Sequence, residues 1–126
     1  MNSIDLILFP RPVTIIIAYD INYYQHISLL APHRDAAKIE ALTEQERDKF
    51  ARELSWLQAG YVLIAARLLG LDCGPMNGFD KLLVDEAFYL GTSWRSNMLI
   101  NLGYGDYDKM RPRASRIDFI NACQIL

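Results

Sequence analysis

Between Thr43 and Leu71 the balance of polar and apolar positions shifts once, and that shift organises the chain. The first part is rich in charge, with Glu44, Glu46, Arg47, Asp48, Lys49, Arg52 and Glu53. From Trp56 to Leu71 the run is apolar, interrupted only by Gln58, Gly60 and Arg67. Thr43 followed three positions later by Glu46 is a capping-box signature. The pattern therefore predicts one long helix, wet at its start and dry at its end. At 1.5 Å per residue the apolar part spans about 24 Å, short of a hydrocarbon core of about 30 Å. Arg67 within it would be a further cost in lipid. A helix apolar on nearly all sides yet too short for a membrane belongs at the centre of a globular core, or partly against another subunit.

Around it the chain reads as mixed α and β. Val13-Thr14-Ile15-Ile16-Ile17-Ala18-Tyr19 is a β-branched run with polar punctuation, the mark of a strand buried on both faces. Asp20 or Asn22 is placed to cap a short helix through Tyr23, Tyr24, Ile27 and Leu30, and Ala31 to Asp35 then breaks the pattern as a loop. Asp80 caps a helix from Lys81 to Leu90 that Gly91 ends. Met98 to Tyr104 reads as a second strand, and beyond Gly105 the chain turns polar and irregular. With no internal repeat, low-complexity tract or linker, residues 1–126 read as a single domain.

Composition narrows the function classes. The 126 residues are 52% hydrophobic and 22% charged, enough for one core. A net charge of −2 and a pI near 5.6 argue against a general nucleic-acid binder. Cys73 and Cys123 match no metal-ligand spacing, so no metal is expected, and a reduced, cytoplasmic setting is the simpler inference. Met1 to Pro10 carry Asp5 and no basic stretch before an apolar run, unlike a secretory leader.

Two stretches carry candidate chemistry. In Gly70-Leu71-Asp72-Cys73-Gly74-Pro75-Met76-Asn77-Gly78-Phe79-Asp80, glycines flank a rigid Pro-Met-Asn, so backbone rather than side chain is offered to a partner such as a flat cofactor. The same residues also read as a helix C-cap at Gly70 followed by a tight turn. Between Lys109 and Arg116 stand Lys109, Arg111, Arg113 and Arg116 with no acid, a local reversal of the overall charge. Guanidinium forks suit phosphate, while the alternative is a solvated basic tail balancing Asp106 and Asp108. His26 and His33 lack an acid or nucleophile beside them in the sequence and read as structural or surface groups. Cys73 reads as a small filler.

These stretches, in this order, resemble the FMN-dependent nitroreductase family. They comprise the long helix through Leu57 to Leu69, the segment from Gly70 to Asp80, the strand from Leu99 ending in Gly103-Tyr104, and the arginine-bearing tail from Lys109 to Arg116. The likeness is nearest to the malonic semialdehyde reductases of pyrimidine degradation. It runs through Pro12-Val13-Thr14, Ala31-Pro32-His33-Arg34-Asp35, Gly74 to Asp80, Gly91-Thr92-Ser93 with Ser96-Asn97, and Gly103-Tyr104-Gly105-Asp106. It covers about residues 12 to 126.

The resemblance implies an α+β fold, a mixed sheet flanked by helices around the long apolar helix, in a homodimer with FMN at the subunit interface. By position Pro75, Met76, Asn77 and Gly78 would lie along the flavin ring, with the Asn77 N–H donating to its reactive nitrogen, where a donor stabilises developing negative charge. Arg113 and Arg116 would hold the phosphate, with Lys109 and Arg111 less closely matched. NAD(P)H would be the co-substrate in a ping-pong cycle reducing a small aldehyde such as malonic semialdehyde, or a nitro or quinone acceptor. The cofactor carries that chemistry, so no catalytic side chain is expected. Family members have a further amino-terminal portion before the strand matching Val13, which residues 1–11 do not match, so the fold is expected to be incomplete at that end. The rival expectations are a truncated, non-catalytic dimerisation fragment without flavin, and a small module binding an anion through its basic tail.

Overall fold

The computed structural model describes residues 13–109 and 111–125, and the readings made on residues 1–12 lie outside them. Strand β1 (Val13–Asp20) leads through a 3-10 turn (Tyr23–His26) into α1 (Ile27–Leu30), then α2 (Ala36–Glu40) and the long α3 (Glu44–Leu68). Next come β2 (Asp72–Met76), α4 (Lys81–Phe88), β3 (Trp94–Gly103), a second 3-10 turn (Tyr107–Lys109) and α5 (Phe119–Ala122). The strands lie in the order β1-β3-β2, and both pairings are antiparallel. The α+β class is as expected. In place of the mixed sheet, the described strands pair only antiparallel.

Both ends of α3 are written locally. Thr43 Oγ1 accepts from the Glu46 N–H at 3.3 Å, and Glu46 Oε2 accepts from the Thr43 N–H at 2.9 Å, completing the capping box. At the other end Gly70 takes φ +80°, a conformation that favours a residue without Cβ. The Leu71 N–H then reaches the Ala66 carbonyl and the Gly70 N–H the Arg67 carbonyl, each at 3.0 Å, which is a Schellman closure. No helix among the described residues is long and apolar enough to cross a membrane.

The apolar half of α3 is not dry all round. Its buried residues are small, namely Ala51, Ser55, Ala59 and Ala66. Ala59 packs with Ile17 and Ile100 into the core, joined by Val62 and Leu63 from the helix and by Ile15, Met98, Leu102 and Cys73 from the sheet. Small side chains let the sheet approach the helix axis. The bulky residues occupy the other side, where Leu57, Tyr61, Ile64 and Leu68 are each more than 60% exposed.

The sheet also reverses an expectation. β1 was read as buried on both faces, yet only Ile17 is buried and its neighbours are half-exposed, because β1 has one partner strand among the described residues. The central strand is β3, with Leu99 and Ile100 fully packed and Ser96, Asn97 and Asn101 buried as well. Its register against β1 skips Asn97 between Ile17 and Ala18. This bulge turns Asn97 toward α3, where its Nδ2 donates to Ser55 Oγ at 2.5 Å. Asp72 to Met76, read as part of a turn, forms a strand paired with Leu99 to Gly103. Pro75 is tolerated there because β2 lies at a sheet edge.

The shorter helices follow their caps. Asp80 Oδ1 accepts from the Leu83 N–H at 3.2 Å, and Gly91, at φ +78°, turns the chain into β3. Asp85 then accepts from the Ser96 N–H at 2.7 Å and ties α4 to the sheet. Asp35 caps α2, accepting from the Ala37 and Lys38 N–H groups, where the sequence had suggested only loop. Asp20 accepts from the Asn22 N–H at 2.8 Å, shaping the turn out of β1, while Asn22 makes no side-chain cap.

Ile100→Ala removes a side chain with no exposure from the centre of β3. It is expected to lower unfolding free energy by about 3 kcal/mol, read from urea denaturation. Tyr19 donates to Asp48 Oδ1 at 2.7 Å across the β1–α3 contact, and burial first, then that bond, pushes its hydroxyl up to about 12. A proton held more tightly in the folded state gives stability that is full below about pH 10 and lost as pH rises toward about 12. Thermal unfolding across that window should show a shallower alkaline loss in Tyr19→Phe than in the parent chain.

Candidate functional site

β2 carries the Gly-flanked segment to the sheet edge and holds it in place. Asn101, 5% exposed on β3, accepts from Thr14 Oγ1 at 2.7 Å and donates through Nδ2 to Met76 Sδ at 3.8 Å. A row of side chains from all three strands therefore holds the half-buried Met76. Pro75, Asn77 and Gly78 are exposed, the last two just beyond the end of β2. Among the described residues no group accepts from the Asn77 or Gly78 N–H. The space where a Cβ of residue 78 would stand is open. The arrangement leaves Asn77 and Gly78 exposed at the end of an anchored strand.

The start of the same strand carries a group that sequence reasoning passed over. Asp72 pairs with Arg67 from the last turn of α3, accepts from the Gly105 N–H through Oδ2 at 2.7 Å, and accepts from the Tyr107 hydroxyl at 3.3 Å. The Gly105 N–H first, and then the Arg67 guanidinium, hold the Asp72 carboxyl below the usual carboxylate range. Arg67 is shifted upward, mainly by its hydrogen bond to Asp72. A cation in the last helical turn with a carboxylate just past the C-cap was the available signal.

The tail is placed differently from the strand. Lys109 pairs with Asp106 at 2.6 Å, and Arg111, Arg113 and Arg116 are exposed. The Arg116 guanidinium donates to the carbonyls of Ala114 and Ser115. Among the described residues no hydrogen bond or ion pair joins Arg113 or Arg116 to Pro75, Met76, Asn77 or Gly78. The single chain thus brings the four segment residues together on one edge and leaves the two arginines in solvent. Ile117, Phe119, Ile120 and Ile125 beside them are exposed too.

Elsewhere, an open cleft of about 280 Å³ lies between β1 and α3, lined by Tyr19, Tyr23, Phe50, Leu54, Ser55 and Gln58 among others. None of the residues singled out for binding borders it. His26 and His33 are exposed, and Cys73 points its thiol at the Leu63 carbonyl at 3.9 Å, packed among core side chains as a filler.

The profile of the nitroreductase family matches residues 2–104, so it takes in residues 2–11, which the sequence motifs had left unmatched. A relative from Stutzerimonas stutzeri, named "Putative NADH dehydrogenase/NAD(P)H nitroreductase", is 51% identical over 112 residues, covering 89% of this chain and 57% of its own length. The chain thus spans little more than half of that relative. Among solved structures, a nitroreductase-titled protein from Bacillus subtilis superposes with a TM-score of 0.80 at 20% identity, over 92% of this chain and 64% of its own. One titled as an NAD(P)H:FMN oxidoreductase, from Staphylococcus epidermidis, gives 0.71 at 17% identity, over 92% and 62%. Those two likenesses bear on the fold, and with the profile match over most of the residues they lead to one conclusion: this chain belongs to the nitroreductase family.

Proposed function

We propose that this chain is the flavin-holding part of an FMN-dependent NAD(P)H oxidoreductase whose preferred acceptor is a small aldehyde such as malonic semialdehyde, reduced to 3-hydroxypropionate. The observation that carries the reading is the pair of backbone donors at Asn77 and Gly78, without a partner among the described residues and exposed at the end of a strand anchored through Met76 and Asn101. These residues fit a flavin in type: Pro75 and Gly78 leave an open, stiff surface, and Arg113 and Arg116 supply forks for a phosphate. Bound FMN would supply hydride transfer between the nicotinamide and the acceptor. The chain's own part is to offer the Asn77 N–H to developing negative charge, and to hold the phosphate through the tail. The names of the relatives support the reductase reading, and the sequence motifs shared with the malonic semialdehyde reductases support the choice of acceptor. The free cysteines Cys73 and Cys123 accord with a reducing cytoplasm.

The exposed side of α3 supports a homodimer. Leu54, Leu57, Tyr61, Ile64 and Leu68 follow one another at alternating steps of three and four, the spacing of a seam between helices. They are 51% to 83% exposed in the single chain, a patch that soluble proteins cover. A second copy would cover it and set the tail of one protomer against its partner's flavin edge. A second reading is a dimerisation fragment that binds no flavin, and among the described residues no bond joins the arginines to the Asn77 segment within one chain, as either reading allows.

Titrating the purified chain into FMN and following quenching of flavin fluorescence separates the two readings. Arg113→Ala and Arg116→Ala are each expected to weaken binding by about tenfold, the scale of one charge-assisted hydrogen bond. Unchanged affinity in both would remove the phosphate assignment. Replacing Tyr61 and Ile64 together by lysine should convert a sedimenting dimer to a monomer. A parent chain that sediments as a monomer at the same concentration would contradict the seam.

A further inference from the structure

The cluster at Asp72 joins three parts of the chain that are distant in sequence. Arg67 closes α3, Asp72 opens β2 opposite Gly103 at the end of β3, and Gly105 with Tyr107 begins the path to the tail. The approach is close: a Cβ on residue 105 would stand 3.0 Å from Asp72 Oδ2, so glycine allows the carboxylate to reach the backbone. Beyond Tyr107 the turn is held again, by the Asp108 N–H on Asp106 Oδ1 at 3.2 Å and the Lys109 N–H on the Asp106 carbonyl at 3.1 Å. On the other side of Asp72, β2 runs directly into Pro75, Met76, Asn77 and Gly78.

We propose that Asp72 is a positioning residue, clamping the end of α3, the start of β2 and the turn after β3 so that the flavin-edge segment and the root of the arginine tail keep a fixed relation. The ligand half of this inference rests on the flavin reading above, whereas the clamp does not. Neither Arg67 nor Asp72 is deeply buried, with 57% and 26% of their side chains exposed. A solvated ion pair alone would contribute little. The Gly105 N–H makes the difference, because a charged acceptor on a backbone donor fixes the path of the main chain.

The test compares Asp72→Ala, Asp72→Asn and a control, Val84→Ala, which loses core packing on α4, remote in the chain from the clamp. In flavin-free protein, amide hydrogen exchange at Gly105, Asp108 and Lys109 should be about tenfold faster in Asp72→Ala than in Val84→Ala. Asp72→Asn keeps an oxygen for the Gly105 N–H and should fall between them. With FMN added, the dissociation constant should rise in Asp72→Ala and recover in part in Asp72→Asn, with Val84→Ala close to the parent chain. Equal exchange in Asp72→Ala and Val84→Ala would overturn the clamp. Faster exchange with unchanged FMN affinity would overturn the positioning role. A parent chain that binds no FMN would overturn the flavin reading and with it the ligand half, while the exchange comparison still decides the clamp.

Discussion

The contact of Ala59 with Ile17 and Ile100 sets the geometry on which the rest depends. A sheet can lie this close to a helix only where the helix offers small side chains, and α3 offers Ala51, Ser55, Ala59 and Ala66 along one side. That choice forces the large residues to the opposite side. The same helix therefore closes the core on one side and leaves Leu57, Tyr61, Ile64 and Leu68 exposed on the other. Its last turn supplies Arg67 to the cluster from which β2 starts, so the placement of the Gly-flanked segment follows from the placement of the helix.

The buried polar groups are consistent with this order. Asn97 turns inward because the β1–β3 register skips it, and it meets Ser55 on the small-residue side of α3. Asn101, in the central strand, bridges Thr14 and Met76 and so links the interior of the sheet to the exposed edge. Each amide NH2 has a named partner, which specifies register where a hydrocarbon would leave it free, while the buried Asn97 Oδ1 has none among the described residues.

Much of the fold was legible in local signals. The Thr43–Glu46 box, the glycine at 70 and the Asp80 cap each specify their own stretch of backbone and are found where the sequence places them, while the helix expected to run to Leu90 ends at Phe88, ahead of the turn at Gly91. What escaped was non-local. Val13 to Tyr19 has the composition of a central strand but lies at the edge of the described sheet, while β3, with its serine and asparagines, lies at the centre, since strand order depends on pairing partners rather than composition. β2 was hidden by Gly74 and Pro75, poor strand formers that an edge position tolerates. The dry half of α3 was legible as apolar, but which half of its circumference faces the sheet depended on residue size. The sequence proposes a site at Pro75 to Gly78 because rigidity is written in those residues. It was not legible at Asp72, whose partners Gly105 and Tyr107 lie more than thirty positions away.

The central claim is that the edge formed by Asn77 and Gly78, completed by the tail of a second copy, holds FMN. The visible absorption spectrum of the parent chain, recorded after incubation with excess FMN and desalting, tests it most directly. Retained flavin bands that bleach on addition of NADH or NADPH are the predicted result. A colourless protein, folded by circular dichroism, would contradict the account and leave a nitroreductase fold without its flavin.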